Sequence, residues 1–275
     1  MIREILNRIY SFQIKEQLFC DLFIGIHISS LSGYQGTNTG ITRNIPVIVS
    51  LHADSKDYNK LPITIYSLLN QSMKPDKLIL WLDDSENLQN LPYEITQFIK
   101  NGLEIKFVKF LNNYTSTYYS IKNFPEAINV TAENCYYYRH HWLKKLYLSY
   151  ASHTEDIHVH LAHQIKVKEN KIISSEHWDN FVNKETASFS NILDKRGGVL
   201  YPPNCFGKDF LRDDIFLKHV PINDNLWYWT MALLYNRKIR VAKNHIKFTL
   251  TTSYLKQFKN YFLKDKNKFE LCRKI

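Results

Sequence analysis

Apolar positions along this chain follow two alternating rhythms. Continuous apolar runs at 45–50, 77–82, 103–109 and 127–132 have the length and composition of strands buried on both faces. Between them the spacing changes to three and four. Leu61, Ile65, Leu68 and Leu69 share one face of a helix, and Pro75 and Asp76 then turn the chain into the next strand. A second helix opens at Pro92 and stops at Asn101-Gly102, where the glycine suits a C-terminal cap, and a third is expected at 117–123. Strands alternating with helices predict an α/β fold, a mostly parallel central sheet flanked by helices.

The second half is mixed. Trp142, Leu143, Leu146, Tyr147 and Tyr150 line one helix face. Residues 157–163 alternate as a strand, with His158 and His160 on one side and Val159, Leu161 and His163 on the other. A polar stretch at 166–196 is expected to form a loop over the site, followed by a strand that enters a rigid turn within 197–203. Residues 224–235 form a helix with an acidic start, as helix N-termini favour. Residues 1–44 are expected to be an extension and linker, 45–242 the ordered domain and 243–275 a basic, aromatic tail.

Charge sharpens that division. The 275 residues carry a net +10, and the segment 237–275, with twelve Lys/Arg against two Asp/Glu, accounts for all of it. A tail in which Phe258, Tyr261, Phe262 and Phe269 interleave with lysines suits an anionic membrane surface, and equally a solvated tail with two aromatics packed on the domain. No nucleic-acid recognition motif accompanies the charge, so nucleic acid is not expected as a partner. No apolar run reaches the span of about 18 residues that crosses a bilayer. Cys20, Cys135, Cys205 and Cys272 stand singly without zinc spacing, which suits reduced thiols in cytoplasm.

Parallel sheets bind ligands beyond the carboxyl ends of their strands. The ends here read Ser50-Leu51-His52, Asp83-Asp84 and Glu133-Asn134-Cys135. No glycine fingerprint follows the first strand, which argues against a nicotinamide or flavin enzyme.

Several segments together point to a family: Val49-Ser50-Leu51, the run from Ser67 through Asn70-Gln71 and Pro75-Asp76 to Leu82, Gly102 to Ile105, Thr131-Ala132, Trp142 to Leu146, Gly197 to Pro203, and Trp227 to Leu234. The pattern resembles bacterial glycosyltransferases of the GT-A fold, the family-2-like enzymes that build capsule and lipopolysaccharide glycans, and it covers 45–242. The resemblance implies a nucleotide-sugar donor held at the strand ends and a glycan or lipid-linked acceptor. It also implies Mg²⁺ or Mn²⁺ on an acidic loop motif and a carboxylate base at the start of the last helix.

Carried over residue by residue, Ser50, His52, Asp83, Asp84 and Glu133 take donor-binding positions and Asp224 that of the catalytic base. Asp83 reads equally as a turn aspartate and Asp224 as a helix cap. The family's run of aspartates is here Glu133-Asn134-Cys135, so the divalent metal, with Glu133 as its one carboxylate ligand, is expected to bind weakly or not at all. Asn225 replaces a second aspartate, and paired lysines of the relatives are missing near Thr115-Ser116. His140, His141, His158, His160 and His163 are expected around the site, where they would supply some of the missing charge or ligands. Two functions follow: a sugar transferase on the cytoplasmic face of the envelope, peripheral at the membrane, or a catalytically silent relative that binds nucleotide, glycan or a partner enzyme.

Overall fold

A computed structural model describes residues 35–169, 171–179, 182, 184–246 and 250–251. Fourteen strands are found among them, in chain order β1 (Val47–His52), β2 (Lys77–Asp83), β3 (Leu103–Val108), β4 (Ile128–Thr131), β5 (Tyr136–Tyr137), β6 (Ile157–Val159), β7 (Ala162–Gln164), β8 (Val167–Lys168), β9 (Lys171–Ile172), β10 (Ala187–Ser188), β11 (Asn191–Leu193), β12 (Val199–Tyr201), β13 (Ile239–Val241) and β14 (Leu250–Thr251). Eight make one sheet in the order β10-β13-β6-β12-β4-β1-β2-β3. The four apolar runs of the first half are its parallel block, β4-β1-β2-β3, in unbroken adjacency. The fold is therefore mixed α/β, with a large, mostly parallel central sheet flanked by helices.

The departures from the expected pattern are physical. β12 enters antiparallel between β4 and β6, because Gly197-Gly198 and the Pro202-Pro203 turn reverse the chain on either side of it. The alternating stretch 157–163 is not one strand. Its first part is β6 in the main sheet, and β7 pairs with β11 in a separate two-stranded sheet. The expected loop at 166–196 holds β8 to β11, each two or three residues long and too short for a period-two pattern to register. The helix expected from Pro92 to Asn101 is one turn, Tyr93–Thr96, followed by a 3₁₀ turn, Ile99–Asn101, and Gly102 closes it at φ +95°.

Packing explains the strands. Every residue of β1 is buried, and β1 contributes Val47, Val49 and Leu51 to a core shared with helix Leu61–Leu69 and helix Trp142–Ser152. Ser50, polar in this apolar strand, is satisfied inside the sheet. Its Oγ accepts from Trp81 Nε1 at 3.2 Å and donates to Ser120 Oγ at 3.0 Å, which in turn donates to Asn129 Oδ1 at 2.6 Å. A second core of Tyr114, Phe210, Phe216, Trp227 and Tyr228 lies between helix Thr115–Asn123 and helix Asp224–Leu234.

Residues 35–44 lie outside the sheet. They are tied to the domain by Gly36 N–H to Leu69 O, Thr37 N–H to Asn101 O and Asn38 N–H to Pro75 O. Residues 1–34 and nearly all of the basic tail lie outside the described residues. Past 242, Ile246 joins the first core and β14 pairs with β5. No helix among the described residues is long and apolar enough to cross a membrane.

One contact ties the two halves together. Trp142 Nε1 donates to Gly197 O at 2.6 Å, and its ring covers Gly198, whose φ is +84°. A Cβ on Gly198 would lie 2.4 Å from that ring. We expect Gly198→Ala to cost on the order of 2–5 kcal/mol, from the strained backbone together with overpacking. A thermal melt checks it: a shift under about one degree would show that the contact is not rigid.

Candidate functional site

Beyond the carboxyl end of β4 lies a cleft of about 290 Å³, lined by Asn113, Glu133, His163, Asp194, Lys195, Arg196, Asp224 and Asn225. Glu133 follows β4. Its backbone is fixed by Tyr138, whose hydroxyl accepts from Glu133 N–H at 2.8 Å and donates to Glu133 O at 3.3 Å. Asp224 begins the helix Asp224–Leu234. Its side chain is not the cap, because Asn223 accepts from Leu226 N–H, and so the Asp224 carboxylate is released to the cleft.

Between these two carboxylates sits Lys195. Its Nζ lies 2.8 Å from Glu133 Oε1 and 2.6 Å from Asp224 Oδ2, and it donates to Asn113 O at 2.9 Å. The side chain is 7% exposed, and the ammonium also stands 5.9 Å from the centre of the Tyr228 ring. An ammonium has three donors, and three acceptors meet this one. Lys195 is held there by a short 3₁₀ turn, Lys195–Gly197, capped by Asp194 through Arg196 N–H. Asp194 also meets Arg196 and His163 Nε2, the latter at 3.2 Å.

Burial and charge set the proton affinities. Burial pushes Lys195 down, but Glu133 and Asp224 outweigh it and hold the ammonium firmly protonated. Burial raises Glu133, yet the Lys195 ammonium and then His52 bring it below the ordinary carboxylate value. Asp224 is raised, by burial and by Glu133, despite its contact with Lys195. Of the two acids, Asp224 is therefore the better proton acceptor. For Asp194 burial works upward, but His163 and Arg196 prevail and keep it ionised.

The residues singled out from sequence separate into two groups. Glu133 and Asp224, far apart in the chain, meet on one ammonium. His52 is buried beside them, with Nδ1 3.0 Å from Ser116 Oγ. Its pKa is lowered to about 4 by burial, which outweighs the pull of Glu133, so it is neutral. Ser50 lies in the sheet interior and does not line the cleft. Asp83 and Asp84 end β2 away from the cleft wall. Asp83 Oδ1 accepts from Ser85 N–H at 2.9 Å as a turn aspartate, and Asp84 is exposed.

The expected histidine cluster does not form. His140 and His141 bond Asn70 O and Ser72 Oγ. His158 bonds Ser149 Oγ and His153 O, and His160 lies between Trp142 O and Ile246 N–H. His140 and His141 stand together, 4.9 Å between ring centres, His158 and His160 are held by other groups, and of the five only His163 reaches the cleft. No local pattern in the sequence marks Lys195, the centre of the site. The nearest signal is Asp194-Lys195-Arg196 directly before a glycine pair, but its two partners are distant in sequence.

The chemistry of these donors does not fit the divalent metal that the resemblance implies. The space between the two carboxylates holds an ammonium. Asn134 Nδ2 turns to Asp57 Oδ2 at 3.3 Å, and burial pushes the Cys135 thiol up to about 12. Among the described residues no three His, Cys, Asp or Glu side chains are grouped to hold an ion.

No protein-family model matches this chain, and no curated protein matches it. Among solved structures, the crystal structure of HddC from Yersinia pseudotuberculosis is similar to 65% of this chain and 86% of its own, at 12% identity and a TM-score of 0.35. A likeness at that level assigns neither a family nor an activity.

Proposed function

We propose that this chain moves a sugar from a nucleotide-sugar donor to a cell-envelope glycan or lipid-linked acceptor, as a transferase of the GT-A type. The observation that carries the reading is the convergence of Glu133 and Asp224 on Lys195, beyond the carboxyl end of β4. In this reading Asp224 takes the proton of the acceptor hydroxyl, for which its raised proton affinity suits it. The Lys195 ammonium offsets the charge that develops on the leaving phosphate. The cleft, near the lower limit of small-molecule sites, accommodates a sugar or phosphate group. The nucleoside then lies outward past His52 toward Asp83 and Asp84. The basic tail holds the protein peripherally on an anionic inner membrane face.

A specific observation favours the silent alternative: the ammonium engages both carboxylates, which tempers Asp224 as a base. Thermal melts with UDP, GDP and CMP, followed by assays of sugar transfer from the matching donors, separate the two. Bound at a hundredfold excess over its dissociation constant, a nucleotide adds about 2.7 kcal/mol, or several degrees. We expect one nucleotide to stabilise the protein, and Asp224→Asn to keep that binding while abolishing transfer. Binding without transfer in the unaltered chain makes it a silent binder, and no stabilisation by any of the three removes the donor site itself.

A further inference from the structure

We propose that Lys195 is a built-in substitute for a divalent cation: its ammonium occupies the place between Glu133 and Asp224 that an ion would need, and makes the cleft metal-independent. This rests on reading the cleft as a donor site, but the occupancy itself is a matter of geometry. An Mg²⁺ or Mn²⁺ ion shared by these carboxylates would need the space that Nζ fills, where the ammonium lies 2.8 Å and 2.6 Å from their oxygens. It would take that space against a full positive charge in a site with little access to water. The ammonium stands at ion-pair distance from Glu133 and Asp224 and donates to the Asn113 carbonyl, so the side chain is held from three sides.

Asn134 and Cys135 bring no carboxylate to the loop, and Lys195 brings a cation to the two carboxylates that remain. Two carboxylates and one ammonium leave a net charge of −1, half of what a divalent cation would meet there without Lys195.

The test measures Mn²⁺ binding by calorimetry, without nucleotide, in the unaltered chain, in Lys195→Ala, and in Lys195→Ala combined with Glu133→Gln and Asp224→Asn. Removing the ammonium vacates a two-carboxylate position. Lys195→Ala is expected to bind one Mn²⁺ at least about tenfold more tightly than the unaltered chain, with a melting temperature restored by Mn²⁺. The triple variant is expected to lose both effects. A folded Lys195→Ala that gains no Mn²⁺ affinity overturns the proposal.

Should Lys195→Ala fail to fold, the unaltered chain decides. Paramagnetic broadening by Mn²⁺ at Glu133 and Asp224 overturns the proposal, and its absence at millimolar Mn²⁺ supports it. A second arm compares nucleotide affinity in EDTA and in Mn²⁺. Agreement within about twofold is expected, and a tenfold gain with Mn²⁺ overturns the substitution. If no nucleotide binds under either condition, the donor-site reading fails, while the Mn²⁺ titrations still judge Lys195.

Discussion

Lys195→Met is expected to destabilise the protein by about 3–5 kcal/mol, because it leaves two buried carboxylates facing each other without a cation. For a domain of this size that lowers the melting temperature by on the order of 10 °C. The cause is not lost packing, since methionine nearly reproduces the volume of the lysine stem. Adding Glu133→Gln and Asp224→Asn to Lys195→Met is therefore expected to recover most of the loss, as a neutral cluster no longer carries the desolvation cost of ions. A Lys195→Met protein that melts within about two degrees of the unaltered chain would show that the carboxylates find other partners. Failure of the triple variant to recover would place the cost in packing instead.

Stability is also expected to fall steeply as the pH drops from about 6.5 toward 4. His52 and His158 are both lowered to about 4 and His160 to about 3, in each case chiefly by burial. These groups are neutral in the fold and take up protons in the unfolded chain below about pH 6.5. In that window the unfolded state binds more protons, so acidification favours unfolding. The contribution is complete above pH 6.5, declines through the window, and levels off below the folded-state values. At about 1.4 kcal/mol per unit, the shifts correspond to on the order of 3 kcal/mol each for His52 and His158 and about 5 kcal/mol for His160, large beside a typical total of 5–15 kcal/mol. Asp224, raised in the fold, works in the opposite sense at the acid end of the range. Urea unfolding at pH 7 and pH 5 measures this. Midpoints that agree at the two pH values would mean the histidines are charged in the folded protein.

What could be read in the sequence, and what could not, divides along the range of the interactions. The four strands of the parallel block were legible because burial on both faces leaves a continuous apolar run, which is a local signal. Helix Trp142–Ser152 was legible for the same reason, its apolar face being written at three- and four-residue spacing. The convergence of Glu133 and Asp224 followed from where strand ends and a helix start must lie. Lys195 could not be found that way. Its meaning comes only from Glu133, Asn113 and Asp224, which reach it from three other parts of the chain. The histidines misled in the complementary way: their proximity in sequence suggested a cluster, but strand, turn and helix send them to separate partners. Ser50 shows that a polar residue at a strand end need not face a ligand when an indole and a serine hydroxyl beside it complete its hydrogen bonds.

The pairing of β14 with β5 reaches the site from the far end of the described chain. Thr251 lies opposite Tyr136, three residues beyond Glu133, and Tyr136 feels the charges of Arg196, Glu133 and Asp194. The loop that carries Glu133 is thereby bracketed, with β4 in the central sheet before it and β5, held by β14, after it. A chain cut before Leu250 would leave β5 without its strand partner, so a loss distant in sequence is felt at the Glu133 loop.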